Sequence, residues 1–170
     1  MPENITEIGR SAFEDCINIT ELIIPDSVTA IGEMAFRYCS SLSKITIPKN
    51  IEEISSWFLH CKNLKEIIIP DGVKKIGDSA FGNCTGLSEI VLPDTVTEIG
   101  ESAFYECTSL TNIQIPDTVT EIGEFAFSGC ELTAITIPDS VIRIGDSAFS
   151  GCSSLTEIVL PDTITEIGDS

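Results

Sequence analysis

Apolar residues recur along this chain with a period of 22 or 23 residues, and each period is marked by a proline. Prolines stand at positions 2, 25, 48, 70, 93, 116, 138 and 161, so seven full units and the start of an eighth fill the 170 residues. Residues 138–160 show the pattern clearly: PDSVIRIGDSAFSGCSSLTEIVL. A fixed period of this length predicts a stacked solenoid, because a single unit cannot bury its own apolar face.

The residues before each proline have the spacing of a short strand. In the unit that starts at residue 70, the apolar positions are Leu87, Ile90 and Leu92. Alternation along a strand turns Ile90 and Leu92 inward and leaves the residues between them facing outward. Because this spacing recurs in all units, each unit is predicted to add one parallel strand to a continuous sheet.

Two further features follow each proline. An apolar pair such as Val96 and Ile99 precedes a glycine in every unit except the third, where Ser55 stands, and this pair predicts a second, shorter parallel ladder. The segment after it, DSAFGNC at residues 78–84, starts with capping residues and turns Ala and Phe inward. It predicts one short helical turn, which is too short to be stable without its neighbours.

The full pattern, L-x-x-I-x-I-P-x-x-V-x-x-I-G-x-x-A-F-x-x-C, resembles the BspA-like leucine-rich repeat and covers essentially all 170 residues. The resemblance implies an α/β solenoid: a right-handed superhelix of about seven coils, with a parallel sheet on one face and the second ladder and helical turns on the others. We expect a single array over residues 1–170. Neither end has a distinct capping unit, so we expect the array to be a fragment of a longer protein.

The acidic charge of the chain is unevenly distributed. The formal net charge is −18; residues 1–75 carry −3 of it and residues 76–170 carry −15, with Arg143 as the one base in the second part. Such acidity argues against nucleic acid as a partner, and no apolar run is long enough to predict membrane contact by this segment. We interpret the charge as favouring solubility and repulsion between arrays.

Each full unit contributes one cysteine. The seven are Cys16, Cys39, Cys61, Cys84, Cys107, Cys130 and Cys152. An odd count at repeat spacing, without any C-x-x-C pair, argues against a disulfide framework and against a zinc site. The cysteines are predicted to form a buried column of small, weakly polar side chains.

The third unit departs most from the pattern. It lacks one residue and contains Ser55, the single tryptophan, Trp57, and the single histidine, His60. Seven of the nine basic residues also lie between positions 37 and 75: Arg37, Lys44, Lys49, Lys62, Lys65, Lys74 and Lys75. Any local site is therefore expected in this part of the chain.

Residue patterns that support catalysis or cofactor binding are not found. With a single histidine, a Ser-His or Cys-His pair is very difficult to build, and every glycine stands alone at repeat spacing, unlike a phosphate-binding loop. The stacked acids leave calcium as an alternative, because a hard cation would relieve their repulsion. Each unit contributes isolated acids, however, so they are predicted to be solvated, and we predict no enzyme, no cofactor and no metal site.

The outward positions of the main sheet are the remaining candidate site. The predicted binding residues are Glu21, Lys44, Thr46, Lys65, Glu66, Glu89, Asn112, Gln114 and Glu157. No outward position is aromatic, which argues against stacking on sugars and favours a broad, moderate contact with a protein.

The resemblance to BspA-like repeats implies a protein-binding or adhesion module of a cell-surface or secreted protein that contacts host or matrix proteins. The alternative is a structural spacer with no ligand of its own, which the near-uniformity of units four to seven favours. The exposed terminal coils also predict weak end-to-end self-association.

Overall fold

The computed structural model describes residues 1–169 and shows a parallel β-solenoid of about seven coils, each starting near one of the prolines. A short strand follows each of the eight prolines; these are β1 (Glu7–Ile8), β3 (Ala30–Ile31), β5 (Glu53–Ile54), β7 (Lys75–Ile76), β8 (Glu98–Ile99), β9 (Glu121–Ile122), β11 (Arg143–Ile144) and β13 (Glu166–Ile167). A longer strand precedes the next proline in five coils; these are β2 (Glu21–Ile23), β4 (Lys44–Thr46), β6 (Glu66–Ile68), β10 (Ala134–Thr136) and β12 (Glu157–Val159).

The longer strands form the main sheet. Strands β2, β4 and β6 pair in parallel, as do β10 and β12, with Ile45 opposite Ile67 and Ile135 opposite Ile158. In β4, β6 and β10 the middle residue is buried and its two neighbours are exposed, as the alternation predicted.

The main sheet is not continuous, in contrast to the prediction. Residues 89–91 and 112–114 occupy strand positions but do not form strands, although Ile90 and Ile113 remain buried there. The apolar column therefore holds these two segments in register where the backbone ladder is interrupted.

The shorter strands form the second ladder. Six of them pair in the order β5-β7-β8-β9-β11-β13, while β1 and β3 form a separate pair. Glycines stack closely beside this ladder: a Cβ added to Gly123 would lie 2.5 Å from the carbonyl carbon of Gly100, and one added to Gly32 would lie 2.4 Å from the nitrogen of Arg10. Ser55 carries a Cβ, so the third coil cannot stack on the second at this distance. The ladder breaks there, between β3 and β5.

The segments between the two kinds of strand are turns. The predicted helical turn is found in one coil of the described chain, as the 3-10 helix Ser56–Phe58. Elsewhere left-handed residues interrupt any helix, for example Ser79 (φ 55°) and Asn83 (φ 58°). The N–H groups of Ser79, Phe81 and Asn83 donate across to carbonyl oxygens of the next coil at 2.6–2.8 Å. Because the backbone is satisfied between coils, a helix is not needed.

The core is a set of parallel columns along the solenoid axis. Phe36, Phe58, Phe81, Phe104 and Phe127 are fully buried, and adjacent rings stack with centroids 5.3–5.8 Å apart. The columns open toward the ends: Ile158 is 41% exposed, whereas Ile135 in the preceding coil is 3% exposed. Among the described residues, none belongs to a helix long and apolar enough to cross a bilayer.

Candidate functional site

The outward surface of the main sheet, here called the sheet face, consists of two rows of exposed side chains. The first row is Glu21, Lys44, Glu66, Glu89, Asn112, Ala134 and Glu157, and the second is Ile23, Thr46, Ile68, Val91, Gln114, Thr136 and Val159. Strand alternation places both rows outward, because the residues between them fill the core. Eight of the nine predicted binding residues lie in these rows. The ninth, Lys65, is also exposed and immediately precedes β6.

The first row contains an ion pair between neighbouring strands. The Nζ of Lys44 lies 2.9 Å from an Oε of Glu66, and both side chains are exposed. The hydrogen bond to Glu66 raises the pKa of Lys44 above its ordinary value, and the charge of Glu21 adds to this. Lys44 therefore stays charged throughout the physiological range, between two carboxylates of adjacent coils.

The second row contains exposed aliphatic side chains that the predicted site did not include. Ile23 is 71% exposed, Ile68 is 75% exposed and Val91 is 81% exposed. The equivalent positions in other coils are Thr46, Gln114, Thr136 and Val159, and Val159 is 47% exposed. These residues could have been identified from the sequence, because packing in the core does not explain an aliphatic side chain at an outward strand position.

Along one border of the sheet face, the second row meets the prolines that end each strand. Four shallow depressions follow one another there, lined in turn by Ile68 and Pro70, by Val91 and Pro116, by Gln114 and Pro138, and by Thr136 and Pro161. Proline ends the backbone ladder, and the chain turns away from the sheet at this point. The border is thus a groove that runs along the solenoid axis.

The basic residues between positions 37 and 75 do not form one site. Lys44 lies on the sheet face, Lys49 lies beside the prolines within 3.8 Å of Asp26, and Lys75 lies in β7 on the second ladder, 2.7 Å from Glu98. These residues are close in sequence but belong to different faces of the coils. The expected local basic site is therefore not assembled.

The aromatic and basic side chains near the third coil pack on each other. The rings of Tyr38 and His60 stack with centroids 4.6 Å apart, and the Arg37 guanidinium lies 4.6 Å from the centre of the Tyr38 ring. Arg37 also contacts Glu14 in the first coil at 3.3 Å. Burial, followed by the charges of Arg37 and Lys62, lowers the pKa of His60 below its ordinary value. The cluster joins consecutive coils, and its guanidinium is already engaged by Glu14.

A nucleophile-base pair is not formed around His60. The neighbouring Cys61 is buried and donates its S–H to the carbonyl oxygen of Phe36 at 3.1 Å. Burial raises the pKa of the Cys61 thiol far above its ordinary value, which opposes formation of a thiolate. Within residues 1–169, no cluster of histidine, cysteine or carboxylate side chains has an arrangement that could hold a metal ion.

Comparison with protein families identifies the repeat. The sequence profile described as the BspA type leucine rich repeat region matches in six copies over residues 1–88 and 74–170, and thus over the whole chain. Among curated proteins, none is significantly similar to this chain in sequence.

Several solved structures that resemble this chain come from bacteria. A leucine rich cell surface protein from Faecalibacterium prausnitzii A2-165 is 38% identical, with a TM-score of 0.79 over 91% of this chain and 42% of that protein. The leucine rich repeat protein of T. pallidum is 28% identical, with a TM-score of 0.77 over 99% of this chain and 71% of that one. A leucine-rich repeat protein from Bacteroides ovatus ATCC 8483 is 27% identical, with a TM-score of 0.54 over 97% and 67%.

The chain spans 42% of the length of the F. prausnitzii protein. The profile match extends over every coil of the solenoid. The chain therefore belongs to the BspA-type leucine-rich repeat family.

Proposed function

We propose that this chain is a non-enzymatic protein-binding module of a cell-surface or secreted protein, and that it contacts a host or matrix protein through its sheet face. Leucine-rich repeats are protein-interaction scaffolds, and the F. prausnitzii relative is described as a cell surface protein. Because that relative is more than twice as long as the chain, its location supports the proposal by analogy.

The observation that carries the proposal is the exposed aliphatic set Ile23, Ile68 and Val91 beside the charged first row. An isoleucine at a strand position that faces water stabilises the fold little. In a contact with a protein, however, the isoleucine would supply apolar area, and the neighbouring lysine and two glutamates would orient the partner. The contact would be broad, since the two rows extend over all seven coils. Aromatic anchors are absent from both rows, so we expect moderate affinity.

The experiment compares two charge-swapped variants of the chain. Lys44→Glu with Glu66→Lys exchanges the ion pair of the sheet face and keeps an opposite-charge pair between β4 and β6. The matched control, Lys74→Glu with Glu52→Lys, exchanges an equally close pair at 2.9 Å beside the second ladder. Neither double variant changes the net charge of the chain, and each keeps an opposite-charge pair at the exchanged positions.

Each variant is immobilised and exposed to serum and extracellular-matrix proteins, and the bound proteins are identified. We expect a partner that the parent and the control retain and that the sheet-face variant loses. Addition of Lys65→Glu to the sheet-face variant should further reduce the amount of partner that it captures. Equal capture by all variants, at equal melting temperatures, would show that the sheet face is not the binding surface.

The second candidate is a structural spacer, favoured by the uniform sequence of coils four to seven. A spacer predicts that no partner is captured, and that insertion of one more 23-residue unit within these coils leaves folding and function intact. The two candidates thus differ in the capture experiment.

The remaining partner predictions rest on charge and on strand edges. A net charge of −18 disfavours nucleic acid, and we expect no membrane contact by this segment. Weak end-to-end self-association stays a prediction: within residues 1–169, β12 pairs with β10 alone and Ile158 is partly exposed there, and an unpaired strand edge favours pairing with another chain. Sedimentation over a range of protein concentrations measures it.

A further inference from the structure

The groove beside the prolines, here called the proline groove, has different chemistry on its two sides. One side is the second row of the sheet face, and Pro70, Pro116, Pro138 and Pro161 also line the groove. The opposite side consists of the residues after the prolines: Lys49, Asp71, Asp94, Asp117, Asp139 and Asp162. The sheet side of the groove is apolar at Ile68, Val91 and Val159, and the opposite side is acidic over most of its length.

In the described part of the chain, the acidic side has no basic ion-pair partner over most of its length. Asp26, in the second coil, is paired with Lys49 at 3.8 Å. The five later aspartates are exposed, and within residues 1–169 none of them forms an ion pair. Carboxylates of neighbouring coils repel each other at a spacing of roughly 4.8 Å, the usual distance between paired strands. A cation that lies along the groove would be attracted by several of these carboxylates at once.

The apolar character is concentrated at the end of the groove near the third coil. There a depression of about 420 Å³ lies between Ile68 and Pro70, with Ile47 and Ile69 also lining it. Toward the later coils, the sheet side changes to Gln114 and Thr136, and Val159 and Leu160 line the last depression. A ligand that fits the groove would carry an apolar group at one end and positive charge along the rest.

We propose that the proline groove binds an extended segment of the partner protein that is rich in Lys and Arg and places one apolar side chain against Ile68 and Pro70. This inference rests on the proposed function, because it names the chemistry of the partner. The main strands end at the groove, so recognition uses side chains and not pairing with a strand edge. Six coils span about 24 Å, which seven or eight extended residues cover.

The test uses synthetic ten-residue peptides labelled with a fluorophore. The first alternates Lys and Ser and begins with Leu; the second has Ser in place of that Leu; the third has Glu in place of every Lys. Binding is measured by fluorescence anisotropy at about 0.05 M and about 0.3 M salt, because screening weakens contacts between exposed charges over this range.

Two variants that each lose three acidic residues distinguish binding in the groove from attraction by the overall negative charge of the protein. The groove variant is Asp94→Asn, Asp117→Asn and Asp139→Asn. The control is Glu101→Gln, Glu124→Gln and Asp146→Asn, which removes three acids from the column that follows the glycines. Both variants have the same net charge, and Asn at position 146 still offers an oxygen to the N–H of Asp169. Circular dichroism confirms the fold of each.

We expect the Leu-containing cationic peptide to bind the parent, and the groove variant to weaken this binding on the order of tenfold, since several exposed charge contacts are lost together. The control should change it by about twofold or less. The peptide without Leu should bind more weakly, Ile68→Ser should abolish that difference, and the acidic peptide should not bind.

Equal weakening by the two acid variants would overturn the proposal, because it would show attraction by net charge alone. Equal binding of the peptides with and without Leu would overturn the apolar contact at Ile68. Absence of binding by any peptide would overturn the groove as a site. The proposed function fails separately, through unchanged capture by the sheet-face variant Lys44→Glu with Glu66→Lys, whose substitutions lie outside the groove.

Discussion

The Sγ of Cys107 lies 3.1 Å from the carbonyl oxygen of Phe81 in the preceding coil and donates a hydrogen bond to it. The same bond joins Cys84 to Phe58 and Cys130 to Phe104, and it recurs at 3.1 Å in every coil from the second to the seventh. The Phe81 carbonyl also accepts the N–H of Cys84 at 3.0 Å within its own coil. The cysteine column therefore gives these carbonyl groups a second donor, which comes from the next coil and links the two coils.

Replacement of this thiol should destabilise the solenoid. We expect Cys107→Ala to lower the free energy of unfolding by about 1–3 kcal/mol, because the Phe81 carbonyl loses one of its two hydrogen-bond donors and a small cavity remains. Cys107→Ser keeps a donor at the same place and should lose less. Urea denaturation measures both variants. An alanine variant as stable as the parent would show that the bond does not contribute.

Truncation of the phenylalanine stack tests the core. Phe104 is fully buried, and its ring stacks between Phe81 and Phe127 with centroids 5.4 and 5.3 Å away. We expect Phe104→Ala to cost about 3–5 kcal/mol of stability, as for other buried aromatic side chains. The matched control is Phe149→Ala in the last full coil, where the ring is partly exposed and has one stacking neighbour. Phe149→Ala should lower the free energy of unfolding less than Phe104→Ala does. A loss under about 1 kcal/mol for Phe104→Ala would contradict the burial of this column.

The buried columns and the two ladders could be predicted from the sequence, because an apolar residue at the same place in every unit leaves few other arrangements. Leu110 and Phe104 lie in the core as their repeat positions require. The sheet face followed from the same alternation, since outward residues are those between buried ones.

The turns could not be predicted in the same way. Ser79 and Asn83 adopt left-handed backbone conformations because their segment bonds to the next coil, and a single unit gives no sign of that partner. Local capping and burial signals therefore indicated a helix that is absent from most coils. The break of the second ladder at Ser55 depends likewise on the close stacking of glycines in neighbouring coils. The proline groove is lined by residues of two coils at each point, so its shape also emerges only after stacking.

The stability of the protein should depend on the charge of His60. Burial, Arg37 and Lys62 lower its pKa in the folded state, so below about pH 6.5, the ordinary pKa, the unfolded chain binds this proton more readily. The stability that the neutral imidazole contributes to the folded protein is thus fully present above that pH, and it is lost as the pH falls toward the lowered pKa. Tyr38 stacks on the imidazole ring, and Glu14 contacts Arg37 instead of His60. No carboxylate of this cluster therefore raises the pKa of His60 against the lowering described above.

His60→Asn removes the titrating group and introduces a residue that tolerates the same left-handed backbone conformation. His60 has a φ of 65°, and Asn83 occupies the equivalent left-handed position in the next coil. Between about pH 7.5 and about pH 5.5, the melting temperature of the parent should fall more than that of the variant. Carboxylates titrate in both proteins and cancel in the comparison. Parallel melting curves across this range would show that His60 does not lose its proton preferentially on folding.

Arg143 should stabilise the acidic half of the array. It is the one base among residues 76–170, and it contacts Glu121 at 2.9 Å and Glu166 at 3.5 Å, thereby linking three consecutive strands of the second ladder. Because its side chain is half-exposed, we expect Arg143→Gln to cost under about 1 kcal/mol at low salt. The loss should shrink at about 1 M salt, where charges are screened over roughly 3 Å.

The matched control for Arg143 is Lys74→Gln, which removes a base that contacts one carboxylate, Glu52, at 2.9 Å. The first 75 residues carry a net charge of −3, so the loss of one cation there leaves less unbalanced repulsion than in the second half. Thermal unfolding at low and high salt should show a larger salt-dependent loss for Arg143→Gln. A loss that does not change with salt would mean that the arginine stabilises the ladder through packing of its stem and not through its charge.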